Sequence, residues 1–543
     1  MDQMQHIAIL PILVPFAAVI VNVIFGDHGK STVRLNVLFS VVQLAVAAML
    51  FLVLAGHDAS AMAVYPLGNW PVPFGIVLAL DRLSALMLVT SGTVALACVI
   101  FACARWHRAG VLFHALFQFQ LMGLAGAFLT ADLFNLFVFF EILLAASYGL
   151  LLHGSGQTRV QSGLHYIAVS LAASSLFLIG VAILYGITGT LNMADMARAI
   201  AILPASDHGL LHAGAAILAV AFLIKAGVWP LNFWLVPAYA AAVAPAGALF
   251  AVLTKVGVYT LLRLWPLWFG DAAGDSAQWG SAYLSGIGMA TMIFGALGML
   301  ASQRITYLAG HAAILSSGTL LATLGMGTPA TTAGLIYYLP GSTWAVACLF
   351  LLADLIKRWR NDGVTSASYD REDAPFLTAE LLPSESFNLD DEQQIVVGRA
   401  IQGATAFLGL AFLLITLVLA GLPPLSGFIG KFTMLSAAID TAALPSVMTW
   451  LLLALMLVTG LATLMALTRV GMRHFWAAHS RSRPVLRVLE GLPIALLLAG
   501  CISLAIFAAP AMRYTLLTAQ DIHAPLSYVD SILSAQPTKG PGQ

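Results

Sequence analysis

Charge is what this 543-residue chain lacks most. Only 9% of its residues are Asp, Glu, Lys or Arg, against about 25% in an ordinary globular chain, while 60% are hydrophobic. The 24 basic and 24 acidic residues cancel, which removes the basic surplus a nucleic-acid partner requires. Cysteine is scarce too. Cys98, Cys103, Cys348 and Cys501 sit singly in apolar runs with no CxxC, so they read as packing residues and not as a disulfide or metal set. No phosphate-binding glycine loop, metal-ligand cluster or catalytic triad motif appears. No cofactor is therefore expected, and the chain reads as a non-enzyme. The opening "MDQMQH" has no Lys or Arg, and no small-residue cleavage site follows, so the first apolar segment reads as a retained helix.

What is present is apolar sequence in lengths that cross about 30 Å of hydrocarbon, with a mean hydropathy of +0.93. Such runs lie near 7–25, 34–55, 83–104, 111–130, 132–152, 163–187, 209–229, 246–268, 279–301, 305–325, 331–356, 402–422 continuing past a break to about 439, 448–470 and 491–510. The expected fold class is all-α, a polytopic membrane protein of about 14 transmembrane helices forming one integral domain over 1–543. Basic residues favour the cytoplasmic side. Of the 24, only Arg82, Arg198, Arg263, Arg513 and Lys539 fall on one side when loops are taken alternately; sixteen fall on the other, which places both termini outside the cytoplasm. Lys225, Lys255 and Lys431 make up the remainder, and all three lie inside spans. Residues 357–400 are charged and Ser-rich and read as a mobile cytoplasmic loop; the tail after about 520 reads as poorly ordered.

The three intramembrane lysines need a reason. Lys225 stands in "FLIKAGVWPLN", five residues before Pro230; Lys431 follows Pro424 by seven; Lys255 lies mid-helix in "FAVLTKVGVYTLL". "AGVWPL" at 226–231 and "AGLPPL" at 420–425 form a matched pair of proline-broken helices. Proline withholds its N–H and crowds the carbonyl four residues back, so Pro230 is expected to free the carbonyl of Ala226, and Pro424 that of Ala420. Interrupted helices in corresponding halves point to an ion pathway in a transporter with internal repeats. Glu141, in "LFNLFVFFEILLAASYGLL", lies about nine residues from either end, near the midplane at about 1.5 Å per residue. Buried charges of this kind usually pair or carry ions. A static ion pair accounts for one Glu and one Lys but leaves two cations uncompensated, so proton relay is the better reading. Lysine suits it, because desolvation and a nearby carboxylate move an ammonium's proton affinity in opposite directions. His311, in "YLAGHAAILSSG", is a further candidate that bridges the halves or else packs as a core histidine. Asp132 and Asp354, near helix ends, read as solvated carboxylates.

The segments "ALDRLSALML", "FNLFVFFEILLAASYGLLL", "LYGITGTLNMADMA", "KAGVWPLNFWLVPAYAAAVAPAGALFAVLTKVGVYTLLRLW" and "LAGLPPLSGFIGKF" resemble the D subunit of multisubunit monovalent cation/proton antiporters of the Mrp, Mnh or Pha type. More broadly they resemble the antiporter-like subunits of respiratory complex I. The similarity runs from about 75 to 475. It implies fourteen helices with two inverted five-helix repeats, here about 111–268 and 279–470. It implies a proton path through Glu141, Lys225, Lys255 and Lys431, exchange of protons against Na+ or K+, other antiporter subunits as partners, and a place in the cell's plasma membrane. Where many relatives carry histidine after the first break, this chain has Asn232. In "YYLPGSTWAVACLFLLADLI", Gly341 stands where relatives often have histidine and Val346 near where complex I subunits have lysine, and Pro340-Gly341 is read as a helix break freeing the carbonyl of Ile336. A proton-pumping subunit of complex I or of a membrane-bound hydrogenase is the alternative reading.

Overall fold

The computed structural model describes residues 2–26, 30–57, 62–110, 112–372, 403–440, 446–476 and 485–535. In hydrocarbon every backbone N–H and C=O needs a partner within the protein, so a chain this apolar resolves into helices. In order they are α1 (Asp2–Ile7), α2 (Leu10–Phe25), α3 (Lys30–Ala55), α4 (Arg82–Ala104), α5 (Phe113–Leu129), α6 (Leu133–Leu152), α7 (Gln157–Thr188), α8 (Met193–Ala201), α9 (His208–Ala226), α10 (Leu235–Ala241), α11 (Ala244–Phe269), α12 (Ser281–Ala301), α13 (Ile305–Leu324) and α14 (Pro329–Glu372). After residues 373–402 come α15 (Gly403–Ala420), α16 (Ser426–Asp440), α17 (Val447–Gly471), α18 (Val488–Ile506), α19 (Ala508–His523) and α20 (Pro525–Leu533). Among the described residues thirteen helical runs are long and apolar enough to cross a membrane, and α5, slightly shorter, completes the expected fourteen. A short antiparallel hairpin, β1 (Ala63–Pro66) with β2 (Val77–Leu80), was not legible in the sequence.

Two helices form the centre. In α11 and in the membrane part of α14, 94% of the most apolar stretch is buried, against 28% in the first two spans, so α11 and α14 are the posts around which the others pack. Both halves follow one order: two helices, a long helix, a broken helix and another long helix. These are α5, α6, α7, α9/α10 and α11, then α12, α13, α14, α15/α16 and α17.

The breaks stand where the sequence puts them but have a different cause. α9 stops at Ala226 because Gly227 turns left-handed (φ +70°), its N–H bonding to Ile224 O while that of Val228 bonds to Leu223 O. α15 stops at Ala420 in the same way: Gly421 has φ +78°, and the N–H groups of Gly421 and Leu422 both reach Leu417 O. Pro230 and Pro424 lie three residues beyond these glycines, in the turns, each after a cis peptide bond. They crowd no helical carbonyl. A glycine on the next long helix lets each helix end approach closely. A Cβ on Gly257 of α11 would lie 2.5 Å from Phe222 O, and one on Gly460 of α17 would lie 2.8 Å from Ala420 O.

Other expectations need correction. Pro340 does not break α14, which runs through it without interruption to Glu372. Residues 357–372 therefore continue that helix and are not loop; 373–400 lie outside the described residues. The tail is ordered through 535. Asp521 of α19 pairs with the buried Arg82 at 2.5 Å, Tyr514 donates to Arg82 O at 2.7 Å, and α20 buries Val529 and Ile532. Asp354 is no solvated end residue but pairs with Arg105 at 2.8 Å, tying α4 to α14. Asp132 is buried and caps α6, accepting from the Asn135 N–H at 2.8 Å. The four cysteines are free, and Cys98, Cys348 and Cys501 are buried.

At one end of α11, Arg263 holds Asp81, the cap of α4, with its Nη2 at 2.8 Å from Oδ1 and its Nη1 bonded to Oδ2. Burial acts to raise the Asp81 carboxyl's pKa, but Arg263 and the Ser84 hydrogen bonds outweigh it and hold it below the usual carboxylate range. Asp81→Asn leaves the Arg263 guanidinium, only 8% exposed, without a counter-charge. The expected loss is about 3–5 kcal/mol, read as a lower Tm of the detergent-purified protein at pH 7. A carboxyl held below its unfolded value stabilises above that value, so the wild-type advantage shrinks only in acid below about pH 4 and vanishes once the pH passes the folded value. Equal Tm values at pH 7 would show that the pair is dispensable.

Candidate functional site

Lys225 occupies the last turn of α9, where the glycine cap at 227 ends the helix and a cation is favoured by the dipole. Its side chain borders two small spaces. One is lined by Phe140, Tyr166, Trp234, Tyr239 and Val256, the other by Phe137, Ala173, Ser174, Phe177 and Ala221. In the first, the Tyr239 hydroxyl and the Trp234 indole N–H are buried without partners among the described residues, while Tyr166 and Ser147 share a hydrogen bond of 2.6 Å. The Lys225 ammonium itself makes no hydrogen bond among the described residues.

Glu141 is close but does not touch it. Among the described residues no direct ion pair joins the two; instead Ser174 Oγ of α7 donates to Glu141 Oε1, and Ser174 lines the space that Lys225 also lines. Ser174 is thus a partner of Glu141 beside Lys225 that the sequence did not reveal. The signal was faint: a Ser-Ser step inside a span, "AASSLF", 33 residues from its partner.

Lys255, 1% exposed, stands on the central post α11 and reaches α13, its Nζ donating to Ser317 Oγ at 3.3 Å. His311, on the same α13, turns elsewhere. Its ring packs against Gly298 and Phe294 of α12, and its Nδ1 has no partner among the described residues. Lys431 of α16 folds back over the helix break. Its Nζ donates to Leu419 O at 3.2 Å and to Ala420 O at 3.1 Å, two carbonyls that α15 leaves open at its end. The carbonyl of Ala420 is therefore exposed as expected, by the Gly421 cap, and an ammonium has taken it. Asn232 is buried in the first break with its amide nitrogen unpartnered among the described residues. Val346 is apolar core in α14, and Gly341 faces Ser426.

The arrangement supplies three ammonium groups on three helices at membrane depth. One is unbonded beside cavities, one is on a serine hydroxyl, and one sits on bare carbonyls. None forms an ion pair with a carboxylate among the described residues. Such groups gain and lose protons when the local polarity changes, and no counter-ion locks them.

Residues 130–463 match the family described as NADH:quinone oxidoreductase/Mrp antiporter, transmembrane. Over 542 residues the chain is 48% identical to the D subunit of the probable K(+)/H(+) antiporter of Rhizobium meliloti (strain 1021), covering 98% of each chain. It is 33% identical to the D subunit of the Na(+)/H(+) antiporter of Alkalihalophilus pseudofirmus, covering 98% of this chain and 100% of that one. A chain of the Mrp complex from Dietzia sp. DQ12-45-1b superposes with a TM-score of 0.81 at 23% identity, covering 98% of this chain and 100% of that one, a likeness of fold.

Gly421 is the tightest point of this geometry. A Cβ there would lie 2.6 Å from Lys431 Cδ and 3.1 Å from Nζ, at a φ that L residues avoid. Gly421→Ala is expected to cost about 1–2 kcal/mol from the backbone alone and to lift the ammonium off Ala420 O. Gly403→Ala, at a helix position with open space around it, is the control and should be neutral or slightly stabilising. Thermal unfolding in detergent compares them, and equal midpoints would contradict the close approach.

Proposed function

The chain belongs to the NADH:quinone oxidoreductase/Mrp antiporter family of membrane subunits, and on that basis we propose that it carries the proton side of a multisubunit monovalent cation/proton antiporter. It is a multi-pass membrane protein and resembles subunits of multisubunit antiporters along almost its whole length. The relative at 48% identity is named for K+ and that at 33% for Na+, which favours K+ as the exchanged cation. The other antiporter subunits are its partners and the plasma membrane its site, with both termini outside. The matched order of α5–α11 and α12–α17, and the paired close approaches at Gly257 and Gly460, support reading the halves as two inverted repeats.

One observation carries the reading: Lys225, Lys255 and Lys431 lie at membrane depth with no carboxylate bonded to them among the described residues. A structural cation at that depth needs a fixed counter-charge; a proton carrier needs to be able to lose its charge. Lys225 is the central carrier. Glu141 stabilises its charged form through space and through Ser174. Lys255 connects the halves, Lys431 is the terminal exchange group, and His311, with a bare ring nitrogen on α13, is an accessory acceptor.

Inverted vesicles from cells lacking their own antiporters, carrying the whole complex, test this by the dissipation of a pH gradient on adding K+ or Na+. The intact complex should respond to K+. Lys225→Ala and Lys431→Ala, shown on a native gel to assemble, should not respond to either ion. Glu141→Gln and Ser174→Ala should lower the rate sharply, with Glu141→Asp and Ser174→Thr milder because they keep the charge and the hydroxyl. Wild-type exchange in an assembled Lys225→Ala complex would take this lysine out of the path.

A further inference from the structure

α14 packs against both α11, which carries Lys255, and α16, which carries Lys431, and its positions Gly341 and Val346 offer no titratable group. Hydroxyls fill the space. Lys255 Nζ donates to Ser317 Oγ at 3.3 Å. Next to it on α13, Ser316 Oγ donates across to Ser342 Oγ of α14 at 3.0 Å, and Ser342 in turn donates to Leu339 O at 3.1 Å. The Tyr338 hydroxyl lies beside Ser316, Thr319 and Ser342. α16 closes on the same spot: a Cβ on Gly430 would come 2.9 Å from Tyr338 Cβ, and Ser426 Oγ lies 2.9 Å from where a Cβ of Gly341 would stand. Ser426 opens the helix that carries Lys431 five residues later, whose ammonium lies on the Leu419 and Ala420 carbonyls at the end of α15.

Two of these hydroxyls, Ser316 and Ser426, differ from ordinary buried serines and threonines. A hydroxyl in a membrane helix usually bonds a carbonyl of its own helix, as Thr343 does to Leu339 O at 2.7 Å and Thr323 to Thr319 O at 2.9 Å. Ser316 points across to another helix instead. Ser426, 1% exposed, has a hydroxyl with no hydrogen-bond partner among the described residues, which is costly in hydrocarbon unless something exchanges hydrogen bonds with it. Lys255 thus reaches the first of several hydroxyls on α13, α14 and α16, each able to accept and donate a hydrogen bond.

We propose that Ser317, Ser316, Tyr338, Ser342 and Ser426 carry the proton between Lys255 and Lys431, as a hydroxyl relay in place of a titratable side chain on α14. This rests on the reading that the lysines carry protons. The Lys255 ammonium gives one N–H proton to Ser317 Oγ. As that O–H bond forms, the proton already on Ser317 leaves for the next oxygen, and so along the file until one adds to the neutral amine of Lys431. Each hydroxyl gains one O–H bond and loses one, so it ends neutral and reversed in orientation. The steps without a direct hydrogen bond, from Ser317 to Ser316, from Ser342 to Ser426 and from Ser426 to Lys431, call for single waters in this relay. Unlike an imidazole, a hydroxyl cannot store the proton, so the transfer is concerted and removing one oxygen interrupts it.

The test uses the assembled complex in inverted vesicles, with assembly checked on a native gel. Ser342→Ala and Tyr338→Phe are each expected to lower the maximal exchange rate by roughly tenfold with the apparent KM for K+ unchanged, and the residual rate should show a larger solvent deuterium effect. Ser342→Thr, which keeps the oxygen, should recover most of the rate. Thr343→Val, which removes the neighbouring hydroxyl bonded within its own helix, should leave it near wild type. Wild-type rates in both Ser342→Ala and Tyr338→Phe would overturn the relay, as would equal loss in Ser342→Thr and Ser342→Ala, since that would mark a packing defect. Lys431→Ala, measured alongside, separates the two readings. If it is inactive while the hydroxyl variants are normal, only the relay fails; if it exchanges normally, the lysine path fails with it.

Discussion

An ammonium buried in hydrocarbon must find oxygen, and Lys431 finds it on the carbonyls of Leu419 and Ala420, which exist as free acceptors only because α15 ends inside the membrane. Much else follows from that end. Gly421 makes it by turning left-handed. Gly460 of α17 comes close enough that no side chain fits against Ala420 O, and α16 restarts at Ser426 in the register that carries Lys431 back over the break. The first half builds the same scaffold with Gly227, Gly257 and α10. It places its lysine before the break instead of after it, so Lys225 has the helix end beneath it and no carbonyl to hold.

The membrane architecture was legible because its signal is thermodynamic and local. A run of apolar residues long enough to cross the bilayer has few other fates, and the fourteen runs correspond to the thirteen spanning helices plus α5. The breaks were found in the right places for the wrong reason. Proline is the conspicuous residue in "AGVWPL" and "AGLPPL", but glycine three positions earlier ends the helix, and a proline beyond a glycine cap has no helical carbonyl left to crowd. Pro340 shows the converse. With no capping glycine turning left-handed beside it, α14 absorbs the lost hydrogen bond and continues.

The charged part of the site was legible because charge is rare in these spans, so each buried Lys or Glu announces itself. Its partners were not. Ser174 and Ser317 are ordinary residues in membrane helices, and only the packing of α7 on α6 and of α13 on α11 shows that their hydroxyls meet an ionisable group. The same limit explains Asp354 and Asp521. Asp354 looks like a solvated end residue, and Asp521 like part of a loose tail, until Arg105, 249 positions earlier, or Arg82, 439 positions earlier, is brought against it.

The two end lysines thus differ in a way that bears on direction. The Lys431 ammonium is held by two backbone carbonyls, while Lys225 borders two small spaces, with Glu141 nearby and bonded to Ser174. Carbonyls stabilise a charged amine without being able to take its proton. A carboxylate can both stabilise the charge and accept the proton, and Glu141 is held by Ser174 while no hydrogen bond ties Lys225 to either among the described residues. The first half therefore leaves its lysine without a hydrogen bond among the described residues, and the second fixes its lysine on backbone oxygens. On the proposed path, a proton passed along α11 and α14 leaves a lysine that is free to change its contacts and reaches one held by the backbone. That asymmetry comes from where each lysine stands relative to the glycine that ends the broken helix: two positions before Gly227 in the first half, ten after Gly421 in the second.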